Sequence, residues 1–229
     1  MNRINIIGDS HSLAFDNNNF EVTHLGAVLA YNLHKRLSEI VNNLFHSNIN
    51  KETDWVFFSL GEIDIRCHLG FRAQEYNKSY SEIVDECISN YLILLTEIKK
   101  LGYNVGVWGP IATGPDEGPQ GNTLLPSFGP RIERDKITRI FNDKLKEVCL
   151  NEDITFKTLY YDIMSSAINN NSYFDWFSCD GVHINSGIFK GTSIEQRDSG
   201  RREVFERMTP SPIDIDKIIL SKFTNEKFN

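Results

Sequence analysis

The spacing of apolar positions changes character several times along this chain, and each change marks an element. Arg3 to Ile7 is a short apolar run stopped by Gly8, and Trp55 to Leu60 is a second, stopped by Gly61. Runs of this length with glycine at the end predict buried parallel strands. Between them, Val28, Tyr31, Leu33, Leu37, Ile40, Val41 and Leu44 recur at roughly helical spacing, which predicts a helix over Ala27 to Leu44 and a first βαβ unit. From Ser81 to Leu101, Ile83, Val84, Cys87, Ile88, Tyr91, Leu92, Leu95 and Ile98 repeat at three and four, and Gly102 after Lys99 and Lys100 supplies a C-cap. Tyr103 to Trp108 reads as a third strand closed by Gly109-Pro110, and Ile154 to Tyr160 as a fourth, after a helix from Arg131 to Leu150.

Strand-then-helix repetition implies an α/β fold, a three-layer α/β/α sandwich around a parallel sheet with right-handed crossovers. Ligands in such folds sit at the carboxyl ends of the strands, where Gly8, Gly61 and Gly109 all fall. Ala112 to Pro130 holds four of the seven prolines and reads as a long loop over those ends. After His183 comes a charged run, Glu195 to Arg207, then Thr209-Pro210-Ser211-Pro212 and an amphipathic segment, Ile213 to Phe223. The expected organisation is one domain over residues 1–190 and a polar extension over 191–229 that includes a short helix.

The chain has 229 residues, 40% of them hydrophobic, enough for one α/β domain with a substantial core. Its formal net charge of −7 would repel a polyanion, which argues against nucleic acid and anionic membrane surfaces as partners. No apolar run reaches the length of a membrane span, and the first residues form a strand pattern and not a signal peptide, so a cytoplasmic location is expected. Cys67, Cys87, Cys149 and Cys179 are scattered, without the paired spacing of a zinc site or a disulfide framework. They read as structural thiols, and neither a metal nor a cofactor is expected.

Two short segments carry chemistry: Gly8-Asp9-Ser10-His11 at the end of the first strand, and Asp180-Gly181-Val182-His183 far downstream. A serine hydroxyl is a poor nucleophile at neutral pH and needs a base within hydrogen-bond reach. His183 can take its proton, and Asp180, three residues away, can hold the other ring nitrogen. Acyl transfer is the reaction class these groups imply. Each has a plainer reading as well: Ser10 as a helix N-cap, Asp9 as a brace for its own turn, Gly26 as a turn glycine.

In order and strand context, these blocks resemble the SGNH or GDSL hydrolases, a family with a flavodoxin-like fold. The resemblance implies Ser10 as nucleophile, Asp180 and His183 as the remainder of the triad, and the amides of Ser10 and Gly26 in the oxyanion hole. The family pattern Gly-x-Asn-Asp falls here on Gly61-Glu62-Ile63-Asp64, so Ile63 stands where an asparagine side chain usually donates to the oxyanion. Loss of such a donor typically costs on the order of a hundred- to a thousand-fold in turnover. Arg66 and His68, read as projecting from the same loop, are the candidate replacements, with Arg66 assigned to the oxyanion hole. Arg66 could instead pair with Glu62 or Asp64. His11, Glu62, Asp64 and His68 are assigned to substrate binding. The implied function is a serine esterase removing an acyl group, plausibly acetyl, from a carbohydrate or small polar ester. An O-acyltransferase acting on a saccharide through the same triad, and a carbohydrate-binding protein with weakened catalysis, are the alternatives.

Overall fold

A computed structural model describes residues 3–15, 20–111, 127–161 and 215–224. Five strands form one parallel sheet: β1 (Ile4–Gly8), β2 (Glu21–His24), β3 (Trp55–Ser59), β4 (Asn104–Trp108) and β5 (Thr155–Lys157). Their order, β2-β1-β3-β4-β5, is the flavodoxin-like doubly wound arrangement, in which the direction of winding reverses between β1 and β3. The four strands expected from apolar runs are present. β2 was not expected, because three of its four residues are exposed and it has no apolar run to announce it.

The helices are α1 (Leu37–His46), α2 (Gly70–Glu75), α3 (Tyr80–Lys100), α4 (Arg131–Asn151) and α5 (Ile215–Thr224). α1 is preceded by a 3-10 helix, Ala30–Arg36, so the helix read over Ala27 to Leu44 is two pieces. α3 opens on a capping box in which Ser79 and Glu82 satisfy each other's backbone amides. One expectation is corrected here. The segment after Gly61, read as a loop, is helical: a π-helical stretch, Asp64–Leu69, runs directly into α2. Ile65, Leu69 and Ala73, four residues apart, all enter the main core, and their burial makes this segment a helix.

Alternation along the strands divides the interior into two cores. On one face, Ile7, Val56, Phe58, Val105 and Val107 pack against α1, α3 and α4. On the other, Ile6, Phe57 and Trp108 meet Phe15, Phe20, Ile219 and Phe223. α5, expected on a separate polar extension, therefore lends side chains to the sheet. The ring of Phe223 stacks on Trp108 at 5.8 Å and meets Phe57, Phe20 and Phe15 edge-on at 5.0, 5.1 and 6.3 Å. Among the described residues, no helix is long and apolar enough to cross a membrane.

Asp64, assigned above to substrate binding, instead lies inside the fold, 1% exposed. Its Oδ2 accepts the amide of Ala30 at 2.8 Å, and its Oδ1 accepts that of Tyr31 at 3.1 Å. Leu29, at the N-cap of the 3-10 helix, offers no side-chain acceptor, and Asp64 fills that role from 34 residues away. The thiol of Cys87 approaches Oδ1 at 3.6 Å. Burial pushes the Asp64 carboxyl up to about 6, against the pull of the two amides and the thiol.

Two stability outcomes are expected. Phe223→Ala should cost about 3–5 kcal/mol in urea or thermal unfolding, the range for emptying an aromatic core site; a loss below about 1 kcal/mol would show that α5 is not part of the packed core. For Asp64, the folded-state value lies above that of an unfolded aspartate, so the native state holds the proton more tightly. That contribution is complete below about pH 4 and is lost as pH rises to about 6. Relative to Asp64→Asn, the wild type should therefore lose on the order of 2–3 kcal/mol between pH 4 and pH 7, as read by urea titration at both. A pH-independent difference would contradict the raised value.

Candidate active site

The turn that carries Ser10 is built by close packing at the end of β1. Gly8 pairs with Ser59 of β3, and a Cβ on Gly8 would overlap the Ser59 carbonyl oxygen, so only glycine fits. The chain then turns through Asp9, which is 0% exposed. Asp9 Oδ1 accepts the His11 amide at 2.9 Å, and its carbonyl accepts both the amide of Ser12 at 3.0 Å and the Ser12 hydroxyl at 2.7 Å. These bonds start the 3-10 helix Ser10–Phe15. Asp9 is thus the brace of the turn and takes the capping role that Ser10 might have held. Ser10, half-buried, opens the helix at the carboxyl edge of the sheet.

The neighbouring segment lies beside this turn. Leu25, just past β2, donates its amide to the Gly8 carbonyl at 2.8 Å. Gly26 follows, with φ of +80°, half-buried, and nothing within 4 Å of where a Cβ would be. Its left-handed conformation suits glycine, and it follows the residue that is bonded to the Ser10 turn.

The third segment begins at Gly61, whose φ of +107° and distance of 2.9 Å from its Cβ position to the Phe141 ring both exclude a side chain. Glu62 follows on the first helical turn and is 4% exposed. Its Oε1 accepts from Arg66 Nε at 2.7 Å, an i,i+4 pair that settles which acidic residue Arg66 joins. Burial opposes the Arg66 charge, but the Glu62 carboxylate more than offsets it and holds the guanidinium firmly protonated. Ile63 is 2% exposed and offers no donor. His68, two residues beyond Arg66, lies off the face that carries Glu62 and Arg66. Burial, then the charges of Arg72 and Arg66, hold its pKa below the usual value.

His11 joins the first and third segments. Its Nδ1 lies 3.2 Å from Asp9 Oδ1 and its Nε2 3.6 Å from Glu62 Oε2. Asp9, His11, Glu62 and the half-buried Arg66 thus form a continuous series in which acidic and basic side chains alternate. A cavity of about 10 Å3, mostly apolar, lies beside it, lined by Asp9, His11, Ser59, Leu60, Glu62, Trp108 and Gly109 to Ile111. From the long loop expected over the site, the final residues reach the Arg66 helix. Phe128 donates its amide to the Arg66 carbonyl at 2.7 Å, and its ring meets Phe71 edge-on at 5.6 Å.

The structure therefore joins His11, Glu62 and Arg66 by contact, with Ser10 next to His11 in the chain and Gly26 one residue past the Leu25–Gly8 bond, and withdraws Asp64 into the interior. Asp180 and His183 lie outside the described residues, as do Cys179 and most of the 112–130 loop. Cys67 is pushed up to about 11 by burial, and Cys87 and Cys149 are raised further by the same cause, so none of these thiols is a poised nucleophile. Among the described residues, no three His, Cys, Asp or Glu side chains gather as a metal site would. The bridging role of His11 was not read from the sequence. Its partners are two and 51 residues away, and only the four-residue spacing of Glu62 and Arg66 left a local sign.

No family model and no curated protein matches the chain. Solved structures do. A GDSL-like lipase from Bacteroides thetaiotaomicron superposes with a TM-score of 0.53 at 14% identity, covering 96% of this chain and 88% of its own. A catalytic mutant of an acetylxylan esterase from Geobacillus stearothermophilus gives 0.53 at 13%, covering 97% and 94%. An acetyl xylan esterase gives 0.50 at 16%, covering 90% and 97%. The chain shares with these proteins the parallel α/β/α fold of GDSL-type hydrolases.

Proposed function

We propose that the protein is a serine esterase of the SGNH or GDSL type that removes a short acyl group from a carbohydrate or other small polar ester. The observation that carries this reading is the position of Ser10. It stands at the carboxyl end of β1, beside the point where the strand order reverses, on a turn made rigid by Asp9 and Gly8. The similar folds that bear the names lipase and acetylxylan esterase support the same chemistry.

In this reading the Ser10 hydroxyl gives its proton to His183, oriented by Asp180, as the oxygen attacks the ester carbonyl. His183 then returns the proton to the departing alcohol, and water cleaves the acyl-enzyme by the reverse sequence. The Ser10 and Gly26 amides bind the developing oxyanion. Arg66, linked to the Ser10 turn through Glu62 and His11, supplies the donor that Ile63 cannot. The small, mostly apolar cavity lined by Asp9, His11 and Trp108 supports a short acyl group.

Ser10→Ala should abolish both p-nitrophenyl acetate hydrolysis and fluorophosphonate labelling while circular dichroism stays unchanged; labelling that persists would remove Ser10 as the nucleophile. Arg66→Ala should lower kcat by on the order of 100- to 1000-fold with little change in KM, and unchanged turnover would discard it as the oxyanion donor. Hydrolysis of p-nitrophenyl esters should fall steeply from acetate to butyrate to octanoate; equal rates would show that the cavity does not hold the acyl group.

A further inference from the structure

We propose that Glu62 is a positioning residue that acts through Arg66, fixing the guanidinium relative to the nucleophile turn; this rests on the esterase reading above. Glu62 is buried, and each of its oxygens faces a different cation-forming group. Oε1 accepts from Arg66 Nε at 2.7 Å and Oε2 lies 3.6 Å from His11 Nε2. Beyond His11, Nδ1 meets Asp9 Oδ1, the oxygen that also accepts the His11 amide. Glu62 Oε2 is otherwise a buried oxygen without a hydrogen-bond partner.

The imidazole of His11 has a carboxylate oxygen near each nitrogen, Asp9 Oδ1 at 3.2 Å and Glu62 Oε2 at 3.6 Å, and Glu62 also holds Arg66, so the contacts run without a break from the Ser10 turn to the guanidinium. The geometry follows from these contacts. With Nε committed to Glu62, rotation of the guanidinium about the end of its side chain is fixed. His11 follows Ser10 directly, so the imidazole–carboxylate contact sets the separation between the attacking oxygen and the donor. A shift of about 1 Å between such groups can cost on the order of 100-fold in rate. Substrate contact, the earlier assignment of Glu62, would leave neither of its oxygens available for this purpose.

The test is a mutant cycle on p-nitrophenyl acetate hydrolysis, with unfolding measured for every variant. Glu62→Ala should lower kcat by on the order of 100-fold with KM within about two-fold, and the double variant with Arg66→Ala should be no slower than Arg66→Ala alone. Glu62→Gln, which keeps an oxygen for Arg66 Nε and guards against a misfolded alanine variant, should recover at least ten-fold of the loss. Multiplicative losses in the double variant, or a Glu62→Ala enzyme with normal kcat while Arg66→Ala is slow, would overturn the positioning role and leave the esterase reading standing. Full activity in Ser10→Ala would overturn that reading first, and the positioning role with it.

Discussion

The close pairing of β1 with β3 is the constraint from which the site follows. Gly8 lies against the carbonyl of Ser59 with no space between them, and the register Gly8 to Ser59 brings the two strands to the carboxyl edge together. Whatever follows each strand must then emerge in the same layer. His11 and Glu62 each stand three residues past a strand end, so side chains 51 positions apart meet without any long excursion. Any side chain at position 8 would separate the strands and move the nucleophile away from the residues that serve it.

Charge compensation is the second layer of that design. The carboxylates near Ser10 are buried for different reasons. Asp9 braces its own turn, Asp64 caps a helix 34 residues upstream, and Glu62 joins His11 to Arg66. Asp64 satisfies two backbone amides without an ion pair among the described residues, and burial raises its pKa. Glu62 has the Arg66 guanidinium against it instead. Neighbouring positions on one short helix thus do opposite jobs: one ties the scaffold together and the other points to the chemistry.

Much of this was legible in the sequence, and the misses share a cause. Short apolar runs announce β1, β3 and β4, three-four periodicity announces α3 to within a residue, and the bounds Arg131 to Leu150 fall one residue short of α4. β2 escaped because Glu21, Thr23 and His24 face solvent and pair through backbone alone. The segment after Gly61 reads as a loop, yet Ile65, Leu69 and Ala73 repeat at helical spacing and are buried in the main core. In the site, the nucleophile motif and the substituted asparagine were visible as words. The roles of Asp64 and His11 were not, because they depend on which distant strand end lies alongside, and only the register supplies that.

The aromatic cluster around Phe223 joins segments about two hundred positions apart, since the same ring touches Phe15, which closes the helix begun by Ser10, and Trp108, which lines the cavity. Contacts of such long sequence separation form late, after the entropy of closing the intervening chain has been met. During synthesis the first strand and its turn leave the ribosome long before α5 exists, so the Ser10 helix forms before Phe223 can pack on Phe15. Maturation of the nucleophile's surroundings is therefore coupled to arrival of the distal helix, and a nascent chain stalled before that point would carry its motif intact on an unfinished wall.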